Sequence, residues 1–246
     1  MVTLKIDNIT VQVPEGTTIL KAAASAGIRI PKLCYLKGVN EIAACRICLV
    51  ELKGKEKLIP SCNNLAEEGM EILTNSARVR SARKTNTLLL LAEHDSHCTT
   101  CLRSGNCTLQ SVANDMGIRM NPYPEVWADE GFPHDFPLNR LSSKCIRCMR
   151  CVQVCEKVQS MNVWDVVNTG SRTSIGVAGH KKLELSSCSL CGQCITHCPT
   201  GALYAREDLG EVYKALADPD KITVVQVAPA VRTAWAESLG LSRRDA

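Results

Sequence analysis

Cysteine is the residue type through which this chain of 246 residues could do most of its chemistry. Its 15 cysteines are about 6% of the residues, and in a reducing compartment such a density indicates metal ligation rather than disulfide bonds. An odd number also disfavours complete pairing. The cysteines form four groups, Cys34 to Cys62, Cys98 to Cys107, Cys145 to Cys155 and Cys188 to Cys198.

The third and fourth groups repeat the spacing C-x2-C-x2-C-x3-C, in the segments KCIRCMRCVQVC and SCSLCGQCITHC. Bacterial two-cluster ferredoxins hold [4Fe-4S] clusters with this spacing, and the fourth cysteine of each motif binds the neighbouring cluster. Zinc sites take four thiolates in pairs, which leaves these triple steps unexplained. The predicted ligand sets are Cys145, Cys148, Cys151 and Cys198 for one cluster, and Cys188, Cys191, Cys194 and Cys155 for the other.

The first group combines a close pair of cysteines with two distant ones, in the order C-x10-C-x2-C-x13-C. Two-iron clusters are held by four cysteines of this kind, although plant-type ferredoxins use a different spacing. Four thiolates could also hold a structural zinc ion, so this alternative stays open. The predicted ligands of a [2Fe-2S] cluster are Cys34, Cys45, Cys48 and Cys62.

The second group has three cysteines, so a [4Fe-4S] cluster there needs one further ligand. His94 supplies a candidate in the pattern H-x3-C-x2-C-x5-C, and His97 is its rival. A neutral imidazole in place of a thiolate makes the site less negative, so its reduction potential should rise, as in Rieske centres. With His94, Cys98, Cys101 and Cys107 as ligands, no cysteine is left unassigned, and the chain should hold one [2Fe-2S] and three [4Fe-4S] clusters.

The remaining composition is that of a folded protein, with 45% apolar and 22% charged residues. No apolar run approaches the roughly 18 residues of a membrane helix, and the N-terminus lacks a signal-peptide core, so we expect a cytoplasmic protein. The formal charge of +4 counts thiols as neutral, and it becomes negative once the thiolates bind oxidised clusters. No basic stripe with interleaved aromatic residues indicates nucleic acid binding.

Hydrophobic alternation predicts that the first cysteine group lies in a β-grasp arrangement, in which a hairpin is followed by a helix and then by a cysteine loop with strands. Side-chain capping and a terminal glycine set the ends of the helix. The predicted elements are hairpin strands at 2–6 and 9–13, a helix from Thr17 or Thr18 to Gly27, and short strands at 49–52 and 57–59.

Later elements are predicted from runs of helix-forming residues and from turn residues. A stretch without Gly or Pro predicts a helix at 76–93, and Gly117 should end the helix predicted at 108–116. Four prolines within 121–140 predict an irregular linker. The remaining predictions are a helix at 108–116, a strand pair at 162–167 and 175–178, a helix at 207–217, a buried strand at 222–228 and a helix at 229–239.

Together these elements predict an α+β fold of several small domains. We expect a β-grasp [2Fe-2S] ferredoxin domain, a small helical [4Fe-4S] domain with one histidine and three cysteine ligands, a two-cluster bacterial-type ferredoxin domain, and the opening strand and helix of a further domain. The predicted boundaries are 1–75, 76–120, a linker at 121–140, 141–206 and 207–246.

Five segments carry a resemblance to a known family: IPKLCYL, ACRICLVE, HDSHCTTCLRSGNCTLQ, KCIRCMRCVQVCEKVQ and CGQCITHCPTGAL. They resemble the N-terminal iron-sulfur region of the large subunit of NAD(P)-linked [FeFe]-hydrogenases, including the electron-bifurcating ones. The part through Cys107 also resembles the 75 kDa-type subunit of complex I and the large subunit of NAD-dependent formate dehydrogenases. The segment ITVVQVAPAVRTAWAESLG, residues 222–240, is similar to the opening strand and helix of the hydrogenase catalytic domain.

The resemblance implies a relay that passes single electrons between a flavin subunit acting on NAD(P)H and a hydrogen-activating site or ferredoxin. Its implied partners are a flavin-bearing NADH-binding subunit, a small thioredoxin-like two-iron subunit and ferredoxin. Without a G-x-G-x-x-G stretch after a strand, the chain itself should bind no nicotinamide.

Two departures from the family pattern affect these expectations. Ala43 stands where relatives commonly have Gly, so the loop there must avoid positive φ or accept strain. The family's catalytic domain needs four further cysteines that the printed sequence lacks, so we expect residues 207–246 to be its truncated start.

Three other functions remain open from the sequence alone. They are the relay portion of a formate dehydrogenase, a free polyferredoxin that shuttles electrons without a fixed partner, and a zinc-stapled scaffold.

Overall fold

A computed structural model of the chain describes residues 1–127, 136–242 and 244–245. The chain divides into two compact units, Met1–Arg206 and Glu207–Ala246. The described residues combine helices with three small sheets, so the predicted α+β class is confirmed. Residues 128–135 of the predicted linker lie outside the described residues.

Five short strands build the N-terminal sheet of the first unit: β1 (Val2–Ile6), β2 (Ile9–Val13), β3 (Leu49–Leu52), β4 (Leu58–Pro60) and β5 (Glu71–Leu73). Their order across the sheet is β2-β1-β5-β3-β4. β1 and β2 form the predicted antiparallel hairpin, with Val2 opposite Val13. β5 was not predicted, yet it joins the two halves of the sheet because it pairs parallel to β1 and antiparallel to β3.

The first helix, α1 (Ile19–Ser25), covers this sheet and begins where the sequence predicted. The hydroxyl of Thr18 accepts a hydrogen bond from the backbone N–H of Lys21 at 3.4 Å and so caps the helix. Gly27, at φ 75°, follows its last turn. Fully buried Leu4, Ile6, Ile19 and Ile72 form the core between helix and sheet, and Cys48 and Cys62 belong to the same core.

Two further helices carry the residues around the second cysteine group: α2 (Ala77–Ala92) and α3 (Thr108–Asp115). Both agree with their predictions. Ser76 caps α2 by accepting a hydrogen bond from the backbone N–H of Val79 at 3.2 Å. Gly117, at φ 61°, follows α3. α2 packs on β3 and on α3, and this places the end of α2, from which His94 follows, inside the first unit.

From residue 136 to the end of the first unit, the structure describes two α-helices and two two-stranded sheets, besides short 3-10 turns: β6 (Leu138–Arg140), α4 (Arg150–Lys157), β7 (Trp164–Val167), β8 (Ser174–Val177), α5 (Gln193–His197) and β9 (Leu203–Ala205). The predicted pair of β7 and β8 is antiparallel, as is the pair of β6 and β9. The prediction of irregular chain through residue 140 is wrong for β6, because this segment is buried and pairs with a strand more than 60 residues away.

The described residues of the second unit form two helices, α6 (Leu209–Ala217) and α7 (Pro229–Ser238), as predicted, with Pro229 in the first turn of α7. The predicted buried strand at 222–228 is wrong. These residues are not in a strand, and Ile222 and Val224 are 94% and 83% exposed. A β-branched run becomes a strand only where another strand supplies ladder partners, and the described part of this unit contains none.

Among the described residues, no helix combines the length and the apolar character that crossing a membrane requires.

Candidate metal centres

The four cysteines of the first group are buried: Cys34, Cys45 and Cys48 lie in the loop before β3, and Cys62 follows β4. They interact in two pairs. A hydrogen bond from the Cys34 thiol lowers the pKa of Cys45 to about 6, and one from Cys62 lowers the pKa of Cys48 to about 7. The fold therefore brings the four predicted [2Fe-2S] ligands together as two interacting pairs of sulfur atoms.

The backbone of this loop adopts an unusual conformation. Ala43 has φ 56° and Arg46 has φ 54°, both in the left-handed region that disfavours residues with a Cβ. Ala43 therefore accepts the strain that the sequence anticipated. The backbone N–H of Cys34 points at the Cys45 sulfur at 3.4 Å. Hydrogen bonds of this kind favour thiolates, and in iron-sulfur proteins they tune the potential of the site.

Arg83 of α2 places a buried positive charge beside this group. It is 6% exposed, and its Nη2 donates to the carbonyl of Leu49, the residue after Cys48, at 2.6 Å. Burial lowers the pKa of Arg83 to about 10, and the neighbouring Cys48 sulfur opposes that change. The Asp7 carboxylate opposes it as well, so Arg83 lies within electrostatic reach of both Cys48 and Asp7.

His94 follows α2 directly and is 5% exposed. Its Nδ1 lies 3.2 Å from the carbonyl oxygen of Lys144. Because a carbonyl can only accept, Nδ1 carries the proton and Nε2 keeps its lone pair, which is the arrangement that metal-binding histidines use. Burial lowers the pKa of His94, so its ring is neutral at pH 7.

His97, the rival, has a different environment. Its side chain is 74% exposed, and its Nδ1 lies 2.5 Å from a carboxylate oxygen of Asp95. An exposed ring next to a carboxylate is a weaker ligand candidate than a buried one whose second nitrogen is held by a carbonyl. The structure therefore favours His94 over His97 as the candidate.

The three cysteines of the second group follow His94 along the chain. Cys98 begins a single 3-10 turn, and Cys107 precedes the first residue of α3. Burial raises the pKa of the Cys107 thiol, and the nearby thiols of Cys101 and Cys98 contribute in the same direction. The three sulfurs therefore lie close enough to interact.

The two C-x2-C-x2-C-x3-C motifs repeat in backbone conformation as well as in sequence. Residues two and four positions after the first cysteine have positive φ in both: Arg147 and Met149 at 51° and 64°, Leu190 and Gly192 at 54° and 71°. Such turns direct backbone N–H groups into a concave site for negative charge. The helix that begins just afterwards carries the third cysteine in each motif.

The first cavity of this region is lined by Cys145, Cys148, Cys151 and Cys198, the complete ligand set predicted for one cluster. Burial raises the pKa of Cys148 to about 12 and also raises that of Cys145 and Cys151, and Cys198 adds to each effect. Four buried thiolates would repel one another and would lose their hydration, which costs free energy. A cationic iron-sulfur core would offset this cost. The donor set therefore fits a [4Fe-4S] cluster.

The second cavity is lined by Cys155, Cys188, Cys191 and Cys194, the other predicted set. Burial raises the pKa of Cys194 to about 11, and the nearby Cys188 contributes to the increase. A hydrogen bond from Trp164 lowers this pKa but does not cancel the effect of burial. The sulfur of Cys155 accepts a hydrogen bond from the backbone N–H of Val163 at 3.3 Å. This set of donors also fits a [4Fe-4S] cluster.

These thiols line cavities instead of converging on a point. Among the described residues, no group of three or more His, Cys, Asp or Glu side chains is arranged to hold a single metal ion.

One apolar core joins three of the four cysteine groups. Cys34 and Cys45 of the first group, Cys107 of the second and Cys148 of the third are buried in the same cluster, around Leu109. Dense packing of this kind keeps its members at fixed separations. Three candidate metal centres are thus held within one rigid neighbourhood.

Hydrogen bonds connect the second and third groups across this core. The carbonyl of Lys144, next to Cys145, accepts both from the His94 ring and from the hydroxyl of Thr200, the latter at 2.7 Å. The guanidinium of Arg103 donates to the carbonyl of Cys198 at 2.7 Å. Sequence reasoning missed Lys144, Arg103 and Thr200 in this role because their partners lie between 50 and 95 residues away.

Replacing Gly201 by alanine tests the Arg103 contact. Gly201 has φ 71°, and a Cβ there would lie 2.2 Å from Cγ of Arg103. We expect a loss of about 2–5 kcal/mol of unfolding free energy, from about 1–2 kcal/mol of backbone strain plus about 1–3 kcal/mol of overpacking. Urea unfolding of the metal-loaded protein under anaerobic conditions measures it.

Gly105 is the matched control for that variant. It has φ 76°, but a Cβ there would meet no atom within 4 Å. Gly105→Ala should therefore cost only the strain, about 1–2 kcal/mol. Equal losses in the two variants would contradict the Arg103 contact as the source of the larger effect.

Comparison with known families assigns three stretches of the chain. Residues 1–77 match a 2Fe-2S iron-sulfur cluster binding domain. Residues 83–122 match the NADH-ubiquinone oxidoreductase-G iron-sulfur binding region, and residues 144–202 match a 4Fe-4S dicluster domain. With the cysteine cavities, these matches define an iron-sulfur protein with both 2Fe-2S and 4Fe-4S binding domains.

Similar proteins narrow the class further. The chain is 43% identical to the NADP-reducing hydrogenase subunit HndD of Solidesulfovibrio fructosivorans, over 98% of this chain and 42% of that protein. It is 35% identical to the NADPH-Fe(3+) oxidoreductase subunit alpha of Geobacter sulfurreducens, over 84% of this chain and 24% of that protein. The NADH-ubiquinone oxidoreductase 75 kDa subunit of Reclinomonas americana is 33% identical over 84% of this chain and 30% of that protein.

A solved structure is similar to this chain in fold. A chain in the crystal structure of NAD+-reducing [NiFe]-hydrogenase in the H2-reduced state superposes with a TM-score of 0.77 at 25% identity, covering 83% of this chain and 87% of that one. The predicted resemblance to the iron-sulfur region of NAD(P)-linked hydrogenase subunits, shared in part with the complex I 75 kDa type, is confirmed. The chain spans less than half the length of each of these curated relatives.

Proposed function

We propose that the chain is a multi-cluster electron relay of an NAD(P)-linked hydrogenase complex, which passes single electrons between a subunit oxidising NAD(P)H and a hydrogen-activating site or ferredoxin. The observation that carries this proposal is the apolar core shared by Cys34, Cys45, Cys107 and Cys148. Electron transfer between metal centres requires that they be close and rigidly held, and this core joins residues of three candidate centres.

The proposed ligands follow the predicted sets. Cys34 and Cys45 would bind one iron of a [2Fe-2S] cluster, with the other iron bound by the second pair of that group. His94 would complete the second site through Nε2. When bound, each cluster supplies a site that accepts or releases one electron. The full ligand sets are Cys34, Cys45, Cys48 and Cys62; His94, Cys98, Cys101 and Cys107; Cys145, Cys148, Cys151 and Cys198; and Cys188, Cys191, Cys194 and Cys155.

The protein's own groups would hold these sites in a defined charge state. Backbone N–H groups directed at the Cys45 and Cys155 sulfurs support thiolate ligation. Arg83 beside Cys48 offsets negative charge and favours the reduced form of the site there. All four ligands of the first group are buried, which excludes water from their sulfurs.

The proposed partners are a flavin-bearing NADH-binding subunit, a small thioredoxin-like two-iron subunit and ferredoxin. The relatives support assembly with partners, since two of them are described as subunits of NADP- or NADPH-linked enzymes. We propose the cytoplasm as the location because a reducing compartment keeps fifteen cysteines available as ligands. The formate dehydrogenase alternative is not favoured by the relatives above, which are hydrogenase, NADPH-Fe(3+) oxidoreductase and complex I subunits.

Iron analysis with electron paramagnetic resonance tests the proposal. Protein purified without oxygen should contain about 14 iron atoms per chain, as one [2Fe-2S] and three [4Fe-4S] clusters. Dithionite should produce the signals of reduced clusters, and a flavoprotein should copurify. A colourless protein without reducible iron would reject the relay, and a fully loaded monomer that donates to several reductases without a fixed partner would favour the free polyferredoxin.

A further inference from the structure

Asn40 lies between two cysteines of the first group and is completely buried. Its backbone is fixed by a tight loop, in which the N–H and C=O of Asn40 both bond with Leu36, at 2.8 and 2.9 Å. Gly38, at φ 71°, allows the chain to turn within this loop. The position of the Asn40 side chain is therefore set by its backbone before any long-range contact is made.

The Asn40 amide joins two cysteine groups. Its Nδ2 donates to the carbonyl of Cys34 at 2.8 Å and to the carbonyl of Cys148, 108 residues away, at 2.8 Å. Both acceptors are carbonyls, so the amide nitrogen must face them and the orientation of the side chain is unambiguous. Each acceptor belongs to a proposed ligand, one of the [2Fe-2S] cluster and one of a [4Fe-4S] cluster.

The other end of the same side chain is unpaired. Oδ1 of Asn40 is buried and has no donor among the described residues. A buried amide with one satisfied end stabilises a fold less than an apolar side chain of similar size would. Packing alone therefore does not explain an asparagine at this position, and its two donors toward the ligand carbonyls are what distinguish it from leucine.

Besides Asn40, two side chains of α4 bind the segment from Cys34 to Val39 and so hold it against the third cysteine group. Arg150 donates to the carbonyls of Cys34 and Tyr35 at 3.3 and 3.0 Å, and Lys157 donates to the carbonyl of Val39 at 2.9 Å. Both residues lie on α4, the helix that carries Cys151. The segment and α4 therefore stay joined by these hydrogen bonds when the Asn40 amide is removed.

We propose that Asn40 is a positioning residue for electron transfer between the [2Fe-2S] site and the [4Fe-4S] site of Cys145, Cys148, Cys151 and Cys198. Its amide sets the separation of the Cys34 and Cys148 carbonyls and provides a path of two hydrogen bonds between them. One electron passes from one site to the other, so the first is oxidised and the second reduced, with no bond or proton change at Asn40. This inference rests on the proposed relay function.

Asn40→Leu in the full, anaerobically purified protein tests the inference, because leucine keeps the volume and removes both donors. We expect all clusters to be retained, the magnetic coupling between the two reduced sites to weaken, and electron transfer between them after rapid partial reduction to slow by about tenfold. Lys157→Met is the matched control, since it removes an exposed donor at the same interface. It should leave both the coupling and the rate unchanged.

Unchanged coupling and transfer rate in Asn40→Leu, with all clusters present, would overturn the inference, even if thermal stability falls. If that variant loses a cluster, Asn40→Asp replaces it, since a protonated carboxyl of the same shape donates at most one of the two bonds. A wild-type rate in Asn40→Asp would overturn the inference, and a slower one would support it. Absence of reducible clusters in the unmodified protein would instead reject the relay function.

Discussion

His94→Ala should remove one [4Fe-4S] cluster and lower the iron content by about four atoms per chain. The reason is that the second group has only three cysteines, and His94 is the buried imidazole whose Nδ1 is held by the Lys144 carbonyl, which leaves Nε2 for iron. Iron analysis and the spectra of the reduced protein measure the loss. The other three clusters should remain, because their ligand sets do not include His94.

Two further variants make this expectation specific. His94→Cys should keep the cluster but lower its reduction potential, because a thiolate adds negative charge that disfavours the reduced form. His97→Ala should leave the iron content unchanged, since His97 is exposed and faces Asp95. A cluster that survives in His94→Ala and disappears in His97→Ala would show that His97, and not His94, is the ligand.

The local elements of this fold were predictable because each has a strong signal in a short stretch of sequence. The hairpin of β1 and β2 alternates along its length, and Thr18, Ser76 and Gly117 mark helix ends by capping or by positive φ. The thiols of each of the two sets predicted from the repeated cysteine spacing line one cavity, and their role as cluster ligands stays a prediction. For the hairpin and the helix ends, the deciding interactions connect residues close in sequence.

The errors occur where distant segments decide the outcome. β5 has three residues, too few for a pattern, yet it is inserted between β1 and β3. β6 lies in a proline-rich stretch and forms only because β9 pairs with it. Residues 222–228 have the composition of a strand, but strand formation requires a partner.

The contacts between cysteine groups could not be predicted from the sequence either. Asn40 has no motif of its own, and its role depends on Cys148 being folded against Cys34. Arg83, on α2, acts as a positive charge beside Cys48 only because α2 packs on β3. The cysteine spacings alone lead to the predicted ligand sets, whereas the contacts that join the cysteine groups require the folded chain.

Cys198→Ala should eliminate the cluster of the third cysteine group although Cys198 belongs to the fourth group in sequence. It lines the cavity of Cys145, Cys148 and Cys151, and its charge raises the pKa of all three. The expected result is one [4Fe-4S] cluster fewer per chain, measured by Mössbauer spectroscopy so that a remaining three-iron fragment is not counted as intact. Interruption of the relay should follow, because Cys148 contacts the [2Fe-2S] side through Asn40.

Pairwise combinations show which cysteines share a cluster, because removing two ligands of the same cluster costs no more than removing one. Adding Cys145→Ala to Cys198→Ala should eliminate no further cluster, whereas adding Cys188→Ala should eliminate a second. Adding Cys188→Ala to Cys155→Ala should eliminate no further cluster, whereas adding Cys145→Ala should eliminate a second. The reason is that Cys155 lines the cavity of Cys188 and Cys194. If Cys198 and Cys188 together eliminated a single cluster, each motif would hold its own four ligands, and the exchange of fourth ligands between the two motifs would be wrong.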